Sequence, residues 1–108
     1  MSDYEAIAKV NREVMTLAGW ERTAGYSWKH KVTGEGADNS SLYHSLDLQH
    51  KLIDPYIGLT SERYIQDGQR YVCELETSSA DFRVAGSTKA NAGLIGRLLL
   101  LRGLGVHS

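Results

Sequence analysis

Two histidines and an aspartate recur at intervals of three near the middle of the chain, as His44, Asp47 and His50. Imidazole and carboxylate groups ligate zinc and carry protons in catalysis, so this spacing raises the question of a metal centre or an acid-base site. Whether the three side chains meet depends on the element that holds them.

That element is predicted to be an amphipathic helix, with its apolar side chains on one arc and the three candidate ligands on the opposite, polar arc. His44 and His50 are six residues apart, which is about 9 Å along a helix axis and too far for one ion. Asp47 and one histidine supply two ligands, so a metal would need others from elsewhere in the fold. We predict no metal and no cofactor here, but a hydrated helix face that ends or kinks at Asp54-Pro55.

Other residues with chemical potential are also predicted to be structural. His30 lies on the apolar side of a predicted strand, and Cys73 is expected to be a small buried hydrophobe. The glycines at 34 and 36 lack the strand-loop-helix context of a phosphate-binding loop. No nucleophile elbow or metal motif is present, so we predict that the chain is not an enzyme and has no catalytic residues.

Composition places this chain among single-domain intracellular proteins. It has 108 residues, a net charge of −1 and one cysteine. The near-neutral charge argues against nucleic-acid binding, and the single cysteine excludes an internal disulfide. We expect one domain over residues 1–108, with neither a signal peptide nor a membrane span.

Helical and strand periods alternate in the first half. A capping box of Ser2 and Glu5 begins a helix that Gly19 ends. Residues 26–32 alternate as a half-buried strand, with Val32 facing inward, and residues 33–41 are predicted to form an exposed loop.

The second half is predicted to form a hairpin over residues 62–76, turning at Asp67-Gly68, and then one more strand. Cys73 is placed on its inner face, and Arg83 is expected to pair with Glu74 or Glu76 across strands. The predicted fold class is therefore α+β, a two-layer sandwich with an antiparallel sheet of about four strands and the order αβαβββα.

The last helix is predicted to begin after Thr88 and to end near Gly103. Its four successive leucines cover every side, so two partners must bury it. We expect burial within the chain, with a homodimer interface as the alternative, formed by a smooth ridge of Gly93, Gly96 and Leu100.

From the middle helix onward, the order helix, three strands, helix resembles that of double-stranded RNA-binding domains, with residues 86–101 similar to their strand-to-helix junction. That family spans phosphates with several lysines at this point, whereas only Lys89 is present here. RNA binding is therefore the lowest-ranked alternative.

Most of the chain resembles the phage ABA sandwich domain, a family of small phage and prophage proteins. The likeness consists of Gly19-Trp20 after the first helix, Trp28 in the following strand, Ser45-x-Asp47 at the middle helix, and the entry to the last helix. That entry carries Ala85, Thr88, Ala90 and Ala92. The resemblance implies an accessory protein of the bacterial cytoplasm, with no catalytic residues to carry over.

Two functional hypotheses follow. The first is a non-enzymatic inhibitor of a host protein complex, contacting it through polar residues of an open sheet face. The second is a sponge that sequesters a nucleotide signal by stacking a base on aromatic rings and meeting phosphate with cations. The candidate binding residues for the two hypotheses are Trp20, Arg22, Tyr26, Trp28, Lys29, Lys31, Arg70 and Arg83.

Overall fold

The computed structural model describes residues 3–24, 27–38 and 42–106, which fold as an α+β protein with helix α1 at Asp3–Leu17, α2 at Leu46–Leu52 and α3 at Lys89–Val106. Six strands form two antiparallel sheets of three, in the order αβββ-α-βββα. The prediction of one sheet of about four strands is therefore wrong, while the α+β class is confirmed. No helix in the described ranges is long and apolar enough to cross a membrane.

The first sheet contains β1 (Trp20–Ala24), β2 (Ser27–His30) and β3 (Gly36–Asp38), with β2 in the centre. The sequence pattern predicted only the middle strand. Its two neighbours are recruited by backbone hydrogen bonds, which do not depend on side-chain pattern. The chain turns directly after His30, so Val32 is 86% exposed rather than inward as predicted.

The second sheet contains β4 (Leu59–Asp67), β5 (Arg70–Thr77) and β6 (Asp81–Gly86), again with the middle strand in the centre. The predicted hairpin is confirmed, but its two-residue loop is Gly68-Gln69 instead of Asp67-Gly68, because Asp67 pairs with Arg70. Gly68 has a φ of +66°. Positive φ carries little cost for glycine, which explains its place in this tight turn.

Helix α3 lies at the centre of the molecule. One side packs on β5 and β6, and others pack on α1 and α2. Gly86 permits close contact with the sheet, since a side chain there would lie 2.6 Å from the Ala92 backbone nitrogen. The helix continues through Gly103 and Gly105 instead of ending there as predicted, and Leu99 is the leucine of its run that is exposed, at 38%.

Candidate functional site

A buried cluster of polar side chains surrounds Arg97 in the middle of α3, where the side chain of Arg97 is fully inaccessible. Its Nε and Nη2 atoms donate to the two carboxylate oxygens of Asp54 at 2.7 and 2.9 Å, a bidentate pair. Nη2 also donates to Glu62 at 2.9 Å. One guanidinium thus holds two carboxylates from separate segments, and this geometry gives the strongest hydrogen bonds available to arginine.

The remaining guanidinium nitrogen, Nη1, lies within 3.2 Å of the Gln49 side-chain oxygen, the Tyr64 hydroxyl and the Gly93 carbonyl. The buried amide of Gln49 in turn donates to the carbonyls of Leu42 and Ala90, both at 2.7 Å. Donors and acceptors are therefore matched around Arg97, as a buried charge requires.

Local sequence explains how each partner reaches Arg97. Asp54 begins the 3-10 turn Asp54–Tyr56 that follows α2, with Pro55 as its second residue, and its side chain points to Arg97. Glu62 and Tyr64 are two apart on β4 and therefore share its inner face. A side chain at Gly93 would lie 2.6 Å from the Tyr64 hydroxyl, so the cluster requires glycine there.

Hydrogen bonds and opposite charges within the cluster shift the pKa values of Glu62 and Arg97 more than burial does. Burial would raise the pKa of Glu62, but hydrogen bonds from Tyr64, Arg97 and His50 hold that pKa below its ordinary value. Burial and the hydrogen bond to Glu62 raise the pKa of the Tyr64 hydroxyl. Burial would lower the pKa of Arg97, yet Asp54 and Glu62 raise it. Glu62, Tyr64 and Arg97 thus keep their ordinary charge states at neutral pH.

Of the three residues first considered as metal ligands, His44, Asp47 and His50, only His50 contacts this cluster. Its Nε2 atom lies 2.7 and 2.9 Å from the Glu62 oxygens and 4.0 Å from Asp54. Ligand atoms of His50, Asp54 and Glu62 lie within 4.8 Å of one another and could supply three ligands to a cation. Arg97 already forms ion pairs with both carboxylates, although its single positive charge balances only one of them, and His50 lies at the exposed rim of this network.

The aromatic residues proposed to stack on a base lie in the core instead. Trp20 is 1% and Trp28 8% exposed, and the Trp20 indole donates to the Leu52 carbonyl at 2.8 Å. His30 is buried at a ring distance of 4.0 Å from Tyr56, with Nε2 2.9 Å from the Ala18 carbonyl and Nδ1 accepting from the Val32 amide. These rings present no open face to a nucleotide, and Tyr26 lies outside the described residues.

The predicted cations divide between the two sheets. Arg22 lies on β1 and Lys29 on β2 of the first sheet. Lys31 follows β2 directly, and all three side chains are exposed. Arg70 and Arg83 are exposed on the second sheet. The candidate binding residues that the structure describes are therefore divided between the core and the exposed parts of two separate sheets.

The outer face of the second sheet, opposite α3, is largely exposed, although Val72 in its central strand is only 8% exposed. Cross-strand registers place its side chains in rows, one of Arg63, Glu74 and Arg83 and one of Ile65, Val72 and Ala85. Arg63 donates to Glu74 and Arg83 lies 3.9 Å from it, which confirms the predicted pairing of Arg83. The hydrogen bond from Arg63, with a smaller contribution from Arg83, lowers the pKa of Glu74.

The ridge proposed as a dimer interface is covered within the chain. Gly93 faces the Arg97 cluster, Gly96 lies against Leu75, and Leu100 is 2% exposed. The helix is buried on this side because the second sheet packs against it. The structure thus favours burial of α3 within the chain, which was the first expectation, over a dimer interface on this ridge.

Cys73 is fully buried, as predicted, and burial raises the pKa of its thiol, which disfavours the nucleophilic thiolate. Arg97, by contrast, was missed. The available signal was a single charge within the apolar run Leu94 to Leu101, since a charge on an otherwise buried helix requires a partner.

Comparisons with family models, curated proteins and solved structures find no similar protein.

Proposed function

We propose that this chain is a phage- or prophage-encoded, non-enzymatic binding protein that inhibits a host protein complex, with a defence complex as its target. The phage origin is supported by the sequence resemblance described above. The binding role is supported by one structural observation, the open outer face of the second sheet.

This face has the composition of a protein-contact surface. The apolar row of Ile65, Val72 and Ala85 runs beside the charged row that contains Glu74. Interfaces combine an apolar centre with polar surroundings, and arginine is enriched among the residues that carry binding energy. Ile65 is 39% exposed, which leaves apolar area for a partner to bury.

The ion-pair cluster supports a non-enzymatic role. The buried Arg97 holds Asp54 and Glu62 in fixed hydrogen bonds, and Tyr64 donates to Glu62. A general base must accept a proton from substrate, whereas these carboxylates are engaged by a permanent cation. The cluster instead joins α3 to the turn before β4 and to β4 itself.

Affinity purification from a bacterial host with matched variants tests the proposal. Arg83→Glu with Ala85→Gln alters the outer face, and Lys29→Glu with Val32→Gln makes the same charge change at exposed positions elsewhere. We expect wild type and the second variant to recover the same host complex, and the first to lose it at least tenfold. Titration of the purified complex should reproduce this order.

Two results would contradict the proposal. One is recovery of no host protein above that captured by an unrelated bait of equal size. The other is equal affinity of both variants for the recovered complex, provided that their thermal unfolding shows both to be folded.

A further inference from the structure

Strand β4 forms a long free edge of the second sheet. It spans nine residues and, in the part of the chain that the structure describes, its only strand partner is β5. It contains no proline or lysine, and after an irregularity between Leu59 and Ser61 its register is regular as far as Asp67. Sheet edges are usually protected by such residues or by bulges, because an open edge offers hydrogen bonds to another strand.

The hairpin determines which backbone groups point to this edge. In its two-residue turn, the carbonyl of Asp67 faces the amide of Arg70. The backbone groups of these two residues therefore point into the space between β4 and β5. Hydrogen-bonded and non-bonded positions alternate along an antiparallel pair. The backbone groups of Glu62, Tyr64 and Gln66 therefore point outward, away from β5.

A second copy of β4 fits this edge in one register. With Ile65 on a two-fold axis, Tyr64 exchanges hydrogen bonds with Gln66 of the partner subunit, and Ile65 lies against Ile65 of the partner subunit. Arg63 then lies opposite Asp67 of the partner subunit. The charge row of the outer face would continue across the axis with alternating signs.

Neighbouring registers lose this complementarity. A two-fold axis at Arg63 or at Asp67 places like charges against each other, and an axis at Tyr64 or at Gln66 sets a charge against Ile65. The Arg63 and Asp67 side chains pair with Glu74 and Arg70 within the chain, yet they are 69% and 63% exposed, so both can also reach a partner. A self-complementary patch of this kind is what a two-fold interface requires.

We propose that β4 pairs with β4 of a second copy, about Ile65, to form one continuous six-stranded sheet. The apolar rows that contain Ile65 would join, which doubles the outer face. This inference does not depend on the proposed function. It places the dimer interface on the exposed strand β4 and not on the ridge of α3, which is buried within the chain.

A disulfide at the axis tests the pairing directly. Residues opposite each other in a non-hydrogen-bonded pair have Cα atoms about 4.5 Å apart, within the range that a disulfide bridges. Under mild oxidation, Ile65→Cys should form a covalent dimer at least tenfold faster than Ala85→Cys, which presents a thiol on the same face at the other edge. The native Cys73 is fully buried and does not interfere. Equal rates would overturn the proposal.

Charge reversal provides a second test that leaves Ile65 in place. Asp67→Arg sets it against Arg63 of the partner subunit and should weaken dimerisation roughly tenfold in sedimentation equilibrium, since like charges directly opposite are destabilising. Adding Arg63→Asp restores opposite charges and should restore the dimer. A wild-type chain that stays monomeric at millimolar concentration, or a double variant no better than Asp67→Arg, would refute the pairing. Host-complex recovery by a monomeric chain would leave the proposed function standing.

Discussion

Replacing Arg97 with methionine should strongly destabilise the fold. The substitution keeps an unbranched side chain in α3 but leaves Asp54 and Glu62 without the cation that holds both. Removing one partner of a buried ion pair costs about 3–5 kcal/mol. Because both carboxylates are 19% exposed and keep some hydration, we expect the lower end, about 3 kcal/mol at pH 7.

The size of this loss should depend on pH. In the wild type the pKa of Glu62 is below its ordinary value of 4.5. The stability that ionised Glu62 contributes to the fold is therefore complete above pH 4.5 and is lost as the pH falls through the folded pKa. In the variant, burial and the Asp54 charge oppose ionisation of Glu62, so protonation of Glu62 at lower pH should recover part of the lost stability. The difference between the two proteins should therefore narrow between pH 7 and pH 4.

Urea unfolding followed by tryptophan fluorescence measures this directly, because both tryptophans are buried. Arg102→Met is the matched control, since Arg102 pairs with Glu13 at 2.6 Å on the surface of the same helix. Its effect should be small by comparison because exposed pairs are screened by water. The reasoning would be refuted if the difference in unfolding free energy between Arg97→Met and wild type stayed constant from pH 7 to pH 4. It would also be refuted if that difference were no larger than the one for Arg102→Met.

Four further predictions concern single positions. Gly93→Ala should cost about 1–3 kcal/mol in thermal unfolding through overpacking. Gly103→Ala, whose new side chain would be 3.6 Å from Phe82, should instead stabilise α3 by roughly 0.5–1 kcal/mol. Ser45→Ala should cost about 1 kcal/mol in the same measurement, because it removes the hydroxyl that accepts the Leu48 amide at the start of α2. The Cys73 thiol should react with a maleimide only as fast as the protein unfolds, and rapid labelling of the folded chain would contradict its burial.

The elements that the sequence predicted best are those with a strong local pattern. The body of α1, the middle helix and the hairpin at Gly68 are each set by periodicity or turn chemistry within a few residues. The helical pattern also correctly placed Asp47 and His50 on the wet side of α2. The inner placement of Cys73 followed from simple alternation along β5.

Only the tertiary structure decided which residues meet. Arg97 contacts Asp54 and Glu62 across 43 and 35 residues of sequence, and no local period encodes such a choice of partner. Strands β1 and β3 formed because β2 offered them backbone hydrogen bonds, which any sequence can accept. Side-chain patterning reflects near neighbours along the chain, whereas the pairing of buried charges depends on how α3 packs against distant segments.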